Sequence, residues 1–205
     1  MKKIEAILFD LDGVLVDACD WHYEALNVAL IESGYDPISK KDHTDIYNGL
    51  PTKVKLHMLG IKGQKIIEIN NLKQKHTLDI INCNSKIMSE KIELYEYLKN
   101  LNIKIGCVTN SIRETAKLML SKTGQLDYID LLVTNEDVYP NKPHPVCYDY
   151  AIQKLNSNPN ASLCVEDSPK GIEAATKSKV KYLWVVYNST EVTKQNYINF
   201  METII

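Results

Sequence analysis

The stretch Leu8-Phe9-Asp10-Leu11-Asp12-Gly13 decides how this chain of 205 residues is organised. Residues 4–9, which precede Asp10, are apolar and β-prone apart from Glu5, and this predicts a short buried strand. Asp10 and Asp12 follow at once, and Gly13 allows the chain to turn sharply. A carboxylate at the end of a core strand is costly unless a cation or a reaction uses it. The pair therefore predicts a metal site with one acid free for chemistry, and a plain acidic turn is the alternative.

Composition places the chain among ordinary globular proteins. Hydrophobic residues make up 44%, charged residues 24%, and the net charge is −2, so no nucleic-acid or membrane partner is expected. The five cysteines form no Cys-x-x-Cys pair, which favours a reduced compartment. The first apolar run is too short for a signal peptide or a membrane span, and we therefore expect a cytoplasmic protein.

The pattern of the chain changes near residue 87. Residues 17–86 are polar, helix-leaning and poor in strand signals, with helices predicted over 17–33, 52–59, 63–70 and 71–81. After that point strands and helices alternate, with strands over 103–109, 131–134, 162–166 and 181–187 separated by helices. This order predicts an α/β fold, in which residues 1–16 and 87–205 form a Rossmann-like core with a parallel sheet. Residues 17–86 are expected to form a small helical insertion after the first strand.

Polar side chains follow each of the first four predicted strands. Ligands of such sheets bind beyond the carboxyl ends of the strands, so these side chains are expected to converge. They stand in the segments Asp10-Leu11-Asp12, Thr109-Asn110-Ser111, Asn141-Lys142-Pro143-His144-Pro145 and Glu166-Asp167-Ser168-Pro169. Each segment alone is as easily a helix cap or surface loop, but their recurrence at one sheet edge indicates a functional site.

The residue types in these segments suit phosphoryl transfer with a metal ion. The carboxylates are hard oxygen ligands of the kind that Mg²⁺ prefers. Thr109 and Asn110 can donate hydrogen bonds to phosphate oxygens, and Lys142 can balance negative charge. Ser111 and Glu114 have capping-box spacing, which predicts a helix that starts at Ser111 and directs its N–H groups toward the phosphate.

These segments together resemble the four motifs of the haloacid dehalogenase superfamily, and the resemblance covers nearly the whole chain. The insertion after the first motif is similar to the helical cap of the group that contains β-phosphoglucomutase, phosphoglycolate phosphatase and sugar-phosphate phosphatases. The resemblance implies that Asp10 is the nucleophile and Asp12 the general acid and base. It also implies that Thr109, Asn110 and Lys142 bind the phosphoryl group. Because the dehalogenases lack the second acid, it argues against dehalogenation.

The resemblance further implies a metal site and a substrate-reading cap. Asp10, Asp12 through its backbone carbonyl, and Asp167 would hold Mg²⁺, with Glu166 close by as a further metal residue. The candidate residues for substrate recognition in or near the cap are Asp17, His22, Thr52, Lys53 and, less directly, Lys75. Lys53 stands where an arginine is common, and a solvated helix lysine is the alternative interpretation.

The expected activity is that of a Mg²⁺-dependent phosphatase that hydrolyses a small phosphorylated metabolite through an aspartyl-phosphate. A sugar phosphomutase of the β-phosphoglucomutase type is the main alternative, because it uses the same residues. A receiver-like signalling module is disfavoured because its acceptor follows a middle strand, and an inactive binding protein is disfavoured by the complete acid set. We expect a monomer or a weak homodimer.

Overall fold

The computed structural model describes residues 4–47 and 50–204 and divides the chain into two compact units. The first unit comprises Met1–Asp17 and Lys86–Ile205, and the second comprises Ala18–Ser85. The second unit thus interrupts the first between its opening strand and the rest of its sheet. Whether this second unit acts as a cap stays a prediction.

The first unit is built on a parallel sheet of five strands in the order β3-β2-β1-β4-β5. The strands are β1 (Ala6–Phe9), β2 (Lys104–Val108), β3 (Leu131–Val133), β4 (Ser162–Glu166) and β5 (Tyr182–Val185). Phe9 at the end of β1 lies beside Cys107 of β2 and Val165 of β4. The predicted parallel α/β sheet is confirmed, and β1 is its central strand.

Helices connect the strands in the first unit and make up the second. They are α1 (Cys19–Glu32), α2 (Lys40–Asp42), α3 (Thr52–Met58), α4 (Gln64–Asn84), α5 (Ser89–Asn100), α6 (Arg113–Lys122), α7 (Val146–Leu155), α8 (Pro169–Lys177) and α9 (Lys194–Ile204). Within residues 4–47 and 50–204, none of these helices has the length and apolar character that a membrane span needs.

β1 is apolar on both faces because helices cover both sides of the sheet, and all four of its residues are buried. On one side, Leu8 packs with Val108 of β2 and with Tyr148, Ala151 and Ile152 of α7. This packing fixes the end of β1, and hence the position of Asp10, against the ends of the neighbouring strands.

The helices of the second unit differ from the prediction in two places. A single helix, α4, runs where two had been predicted with a break at Asn70 and Asn71. Its buried residues recur every three or four positions, which gives a continuous face across the two asparagines, and this tertiary packing overrides their low helix propensity. In addition, α2 and a π-helical turn (His43–Tyr47) occupy a segment with no predicted element.

The second unit has its own core. The core consists of Leu26, Ala29, Leu30, Ile38, Leu56, Ile61, Ile66 and Ile69. His43 is 2% exposed, its ring packs on Tyr23, and its Nε2 lies 3.7 Å from the Cys19 sulfur. Burial, together with the positive charge of Lys55, lowers the pKa of His43 to about 4. The ring is therefore neutral in the folded protein at physiological pH.

This buried histidine makes the stability of the protein sensitive to acid. Because the pKa of His43 falls from 6.5 to about 4 on folding, only the unfolded state takes up its proton between those values. Stability therefore falls as the pH drops below 6.5. We expect roughly 1–2 kcal/mol to be lost between pH 7 and pH 5 through this group.

Urea denaturation of the parent and of His43→Gln across this pH range measures that loss. The variant should show a shallower decline than the parent. His57→Gln, at an exposed position of α3, is the control and should follow the parent. An equal decline in His43→Gln and the parent would contradict this account.

Candidate active site

The site lies where β1, β2 and β4 end. Lys142, which is 7% exposed, brings its ammonium group to Asp10 Oδ1 at 2.6 Å and to Glu166 Oε1 at 2.6 Å. The same nitrogen donates to the backbone carbonyl of Val108 at 2.7 Å. Residues far apart in the chain are therefore joined at one sheet edge.

The electrostatics of this edge are dominated by carboxylates. Burial raises the pKa of Asp10 well above its usual range, although Lys142 opposes this shift. Burial, with the nearby charge of Glu166, raises the pKa of Asp167 to about 7. Burial alone would lower the pKa of Lys142, but Asp10 and Glu166 outweigh it and raise that pKa. The site thus carries an excess of acid that favours a bound cation.

Glu166 is fully buried and held by hydrogen bonds on both oxygens. Its Oε1 accepts hydrogen bonds from Lys142 and from the hydroxyl of Tyr148. Its Oε2 accepts from the backbone N–H of Asp167 at 3.2 Å and from the Ser168 hydroxyl at 3.4 Å. Glu166 lies with Asp10 and Asp167 in an acidic cluster, but its own oxygens already have donors.

Asp167 has a different environment. Among the described residues, its Oδ1 is one of the buried atoms without a hydrogen-bond partner. Ligand atoms of Asp10, Glu166 and Asp167 lie within 4.8 Å of one another. Three carboxylates at this separation with one unsatisfied buried oxygen fit a hard divalent cation such as Mg²⁺.

Gly13 allows Asp167 to approach the turn that follows β1. Gly13 has φ +91°, and a Cβ at this position would lie 2.1 Å from Asp167 Oδ2. The glycine is therefore required both for its backbone conformation and for the space it leaves.

Asp12 is held by a residue from the next strand end. The hydroxyl of Ser111 donates to Asp12 Oδ2 at 2.9 Å. The predicted capping box at Ser111 is wrong, because α6 begins at Arg113 and its first N–H is accepted by Glu136 at 2.6 Å. The N–H of Arg113 is therefore not available to a phosphate, contrary to the prediction for this helix start.

Thr109 and Asn110, which precede Ser111 in this loop, make different hydrogen bonds. Thr109 accepts a hydrogen bond from the N–H of Ser111 at 3.0 Å, which leaves its own hydroxyl proton to be donated. The side-chain amide of Asn110 bonds to the backbone N–H and carbonyl of Lys142 at 3.2 and 3.3 Å. Asn110 thus holds the Lys142 loop, and its predicted contact with phosphate stays a prediction.

The substrate-recognition candidates belong to several elements of the chain. In the second unit, His22 Nδ1 lies 3.1 Å from the ammonium group of Lys73, which is buried. Thr52 is half-buried at the start of α3, whereas Lys53 is exposed, as is Lys75 on α4. Asp17 is exposed and belongs to the first unit. Their roles in substrate recognition stay predictions.

The contacts of three residues at the site are not predicted from the sequence. Ser111 is expected at this sheet edge and as a helix cap, but not as the partner of Asp12. Gly171 is given no role of its own, and Tyr148 is not singled out. Tyr148 stands six positions after Lys142 inside an amphipathic helix, where it reads as an ordinary core aromatic. Gly171 looks like an ordinary helix residue in the sequence. Only the three-dimensional structure shows that a side chain at this position would collide with Glu166.

Comparison with known proteins matches residues 7–185 to the model of one family, described as haloacid dehalogenase-like hydrolase. The chain belongs to this family. The matched residues begin in β1 and end with β5, so they include every strand end that forms the site. The predicted superfamily is confirmed, and so is the predicted enzyme class, a hydrolase with relatives that are named phosphatases.

Individual relatives are similar over most of their length. A phosphorylated carbohydrates phosphatase of Thermotoga maritima is 27% identical over 193 residues, covering 91% of this chain and 87% of that protein. A validoxylamine A 7′-phosphate phosphatase of Streptomyces hygroscopicus is 28% identical, covering 84% and 81%. The crystal structure of β-phosphoglucomutase from Clostridium difficile has a TM-score of 0.79 at 25% identity and covers 98% and 99%.

Gly171 provides a test of the packing at Glu166. A Cβ at this position would lie 2.0–2.1 Å from the carboxyl atoms of Glu166, which four hydrogen bonds hold in place. Helix propensity alone predicts that Gly171→Ala stabilises the protein by about 1 kcal/mol. We expect the steric conflict to win and to destabilise it by about 1–3 kcal/mol.

Urea denaturation measures this difference. Glu173→Ala, at an exposed position of the same helix, is the control and should change stability by less than about 0.5 kcal/mol. A stabilised Gly171→Ala protein would show that Glu166 is not held against α8.

Proposed function

We propose that the protein is a Mg²⁺-dependent phosphatase that hydrolyses a small phosphorylated metabolite through an aspartyl-phosphate on Asp10. The observation that carries the proposal is the convergence of Asp10, Asp167 and Lys142 at the end of β1, where one buried Asp167 oxygen has no donor among residues 4–47 and 50–204. Membership of the hydrolase family and the names of the relatives support it.

The metal ion would be held by the carboxylates of Asp10 and Asp167 and by the backbone carbonyl of Asp12. When bound, Mg²⁺ supplies positive charge that offsets negative charge on the transferring phosphoryl group. The raised pKa values of Asp10 and Asp167 fit this role, since burial raises both and the neighbouring carboxylates raise them further.

Asp10 is proposed to attack the phosphorus of the substrate. A bond forms between its carboxylate oxygen and phosphorus while the bond from phosphorus to the substrate oxygen breaks. Lys142, which already contacts Asp10, and the free hydroxyl proton of Thr109 stabilise the negative phosphoryl oxygens.

Asp12 is proposed to move the protons. In its acid form it gives a proton to the leaving substrate oxygen, and as carboxylate it then takes one from the water that attacks the aspartyl-phosphate. The second step releases inorganic phosphate and restores Asp10. Ser111 holds the Asp12 carboxylate at 2.9 Å and thus acts as a positioning residue for both steps.

The alternative is a phosphomutase that returns the phosphoryl group to a sugar. The structural similarity to β-phosphoglucomutase favours it as the second candidate, whereas the curated relatives described above carry phosphatase names. Product analysis separates the two, since a mutase yields an isomerised sugar phosphate with little free phosphate.

Phosphate release from a panel of phosphorylated sugars, alcohols and short acids tests the proposal. We expect Mg²⁺-dependent release from at least one compound, abolished by EDTA and by Asp10→Asn, because no other described residue of this cluster is proposed to accept the phosphoryl group. Asp127→Asn, an exposed residue of the same unit, is the control and should remain active. No turnover of any compound would contradict the proposal.

Ser111 offers a sharper test of the acid step. Ser111→Ala removes one hydrogen bond to a carboxylate, and we expect kcat to fall about tenfold on an alkyl phosphate. The loss should be smaller on p-nitrophenyl phosphate, since its leaving group needs less help from an acid.

Ser121→Ala, exposed on α6, is the matched control and should keep both activities. Equal losses of Ser111→Ala on the two substrates would show that Ser111 does not act through Asp12.

A further inference from the structure

Tyr148 contacts two residues of the site at once. It lies on α7 and is completely buried in the first unit. Its hydroxyl donates a hydrogen bond to Glu166 Oε1, and the Lys142 ammonium group lies 5.0 Å from the centre of its ring. A tyrosine needed only for packing would require neither contact.

The hydrogen bonds around these residues leave Lys142 and Glu166 fully occupied. The three protons of the Lys142 ammonium group go to Asp10, Glu166 and the carbonyl of Val108. Each oxygen of Glu166 has two donors, and those of Oε1 are Lys142 and Tyr148. Direct binding of a metal ion to Glu166 would break at least one of these bonds.

Asp167 contrasts with Glu166 in the same cluster. One of its buried oxygens has no donor in the part of the chain that the structure describes. Ligand atoms of both Asp167 and Glu166 lie within 4.8 Å of Asp10. Asp167 therefore has an oxygen that can bind a cation without losing a hydrogen bond, whereas both oxygens of Glu166 already accept hydrogen bonds.

We propose that Tyr148 is a positioning residue that keeps Glu166 as the anchor of Lys142 and prevents it from acting as a metal ligand. This inference rests on the proposed function, because it concerns the cation and the phosphoryl group of that reaction. It also refines the prediction that Glu166 belongs to the metal site, by giving it a contact with Lys142 instead of with the ion.

The proposal has opposite consequences for cations and anions. Without the Tyr148 hydroxyl, the Glu166 carboxylate loses one hydrogen-bond donor, so the electrostatic potential at the site becomes more negative. Glu166 then attracts the Lys142 ammonium group more strongly. A cation should then bind more tightly, while a phosphoryl mimic that depends on Lys142 should bind more weakly. General loosening of the site would weaken both.

Calorimetric titration of Tyr148→Phe with Mg²⁺, and then with BeF₃⁻ at saturating Mg²⁺, measures these two affinities without turnover. We expect the Kd for Mg²⁺ to fall about two- to fivefold and the Kd for BeF₃⁻ to rise about five- to tenfold. Weaker binding of both, or no change in either, would overturn the proposal.

Tyr95→Phe is the matched control. Tyr95 is also completely buried in the first unit, and its hydroxyl donates to Gln125 Oε1 at 2.7 Å and not to a carboxylate of the acidic cluster. The two variants lose the same group from equally buried positions, so comparable losses of stability are expected. Only Tyr148→Phe should alter the two affinities, and the same changes in Tyr95→Phe would overturn the proposal.

A second pair of variants tests the role of Glu166 without altering Tyr148. Glu166→Gln and Asp167→Asn each remove one negative charge from the cluster. The proposal expects Asp167→Asn to weaken Mg²⁺ binding at least tenfold more than Glu166→Gln does, and equal losses would overturn it. If the parent binds Mg²⁺ and BeF₃⁻ but the variants fail these tests, only this inference fails. If the parent binds neither, the proposed function fails as well.

Discussion

The ammonium group of Lys142 is the contact on which the site depends. It joins the carboxylate that follows β1, the last carbonyl of β2 and the carboxylate that ends β4. A buried lysine is stable only when its charge and its donors are satisfied, and here all three protons have acceptors. The strand ends must therefore meet at this point, which the parallel register of β1 with its two neighbours ensures.

Around that contact the negative charges outnumber the positive one. Asp10, Glu166 and Asp167 lie together, and the raised pKa values of Asp10 and Asp167 express the free-energy cost of ionising them there. A divalent cation in contact with these carboxylates relieves this cost, because its positive charge adds to that of Lys142. The folded chain thus keeps an arrangement that becomes more favourable when the proposed cation binds.

Much of this was predictable from the sequence, for a physical reason. Buried parallel strands appear as apolar runs, and a charged residue directly after such a run marks the functional edge of the sheet, as for Asp10 and Glu166.

The contacts made by side chains inside helices were not predictable, since Tyr148 looks like any core aromatic. Ser111 misled the prediction because its hydroxyl can cap a helix or bind a carboxylate, and only the fold brings Asp12 within reach. The predicted break at Asn70 and Asn71 is wrong because a buried face runs across both asparagines and keeps α4 continuous.

Anomalous scattering from Mn²⁺, which takes the same oxygen ligands as Mg²⁺, tests the central claim most directly in crystals of the unaltered protein. The account predicts one peak in contact with the carboxylates of Asp10 and Asp167, while Glu166 keeps its bonds to Lys142 and Tyr148. A peak bound to the carboxylate of Glu166, or no peak beside Asp10 at saturating Mn²⁺, would contradict it.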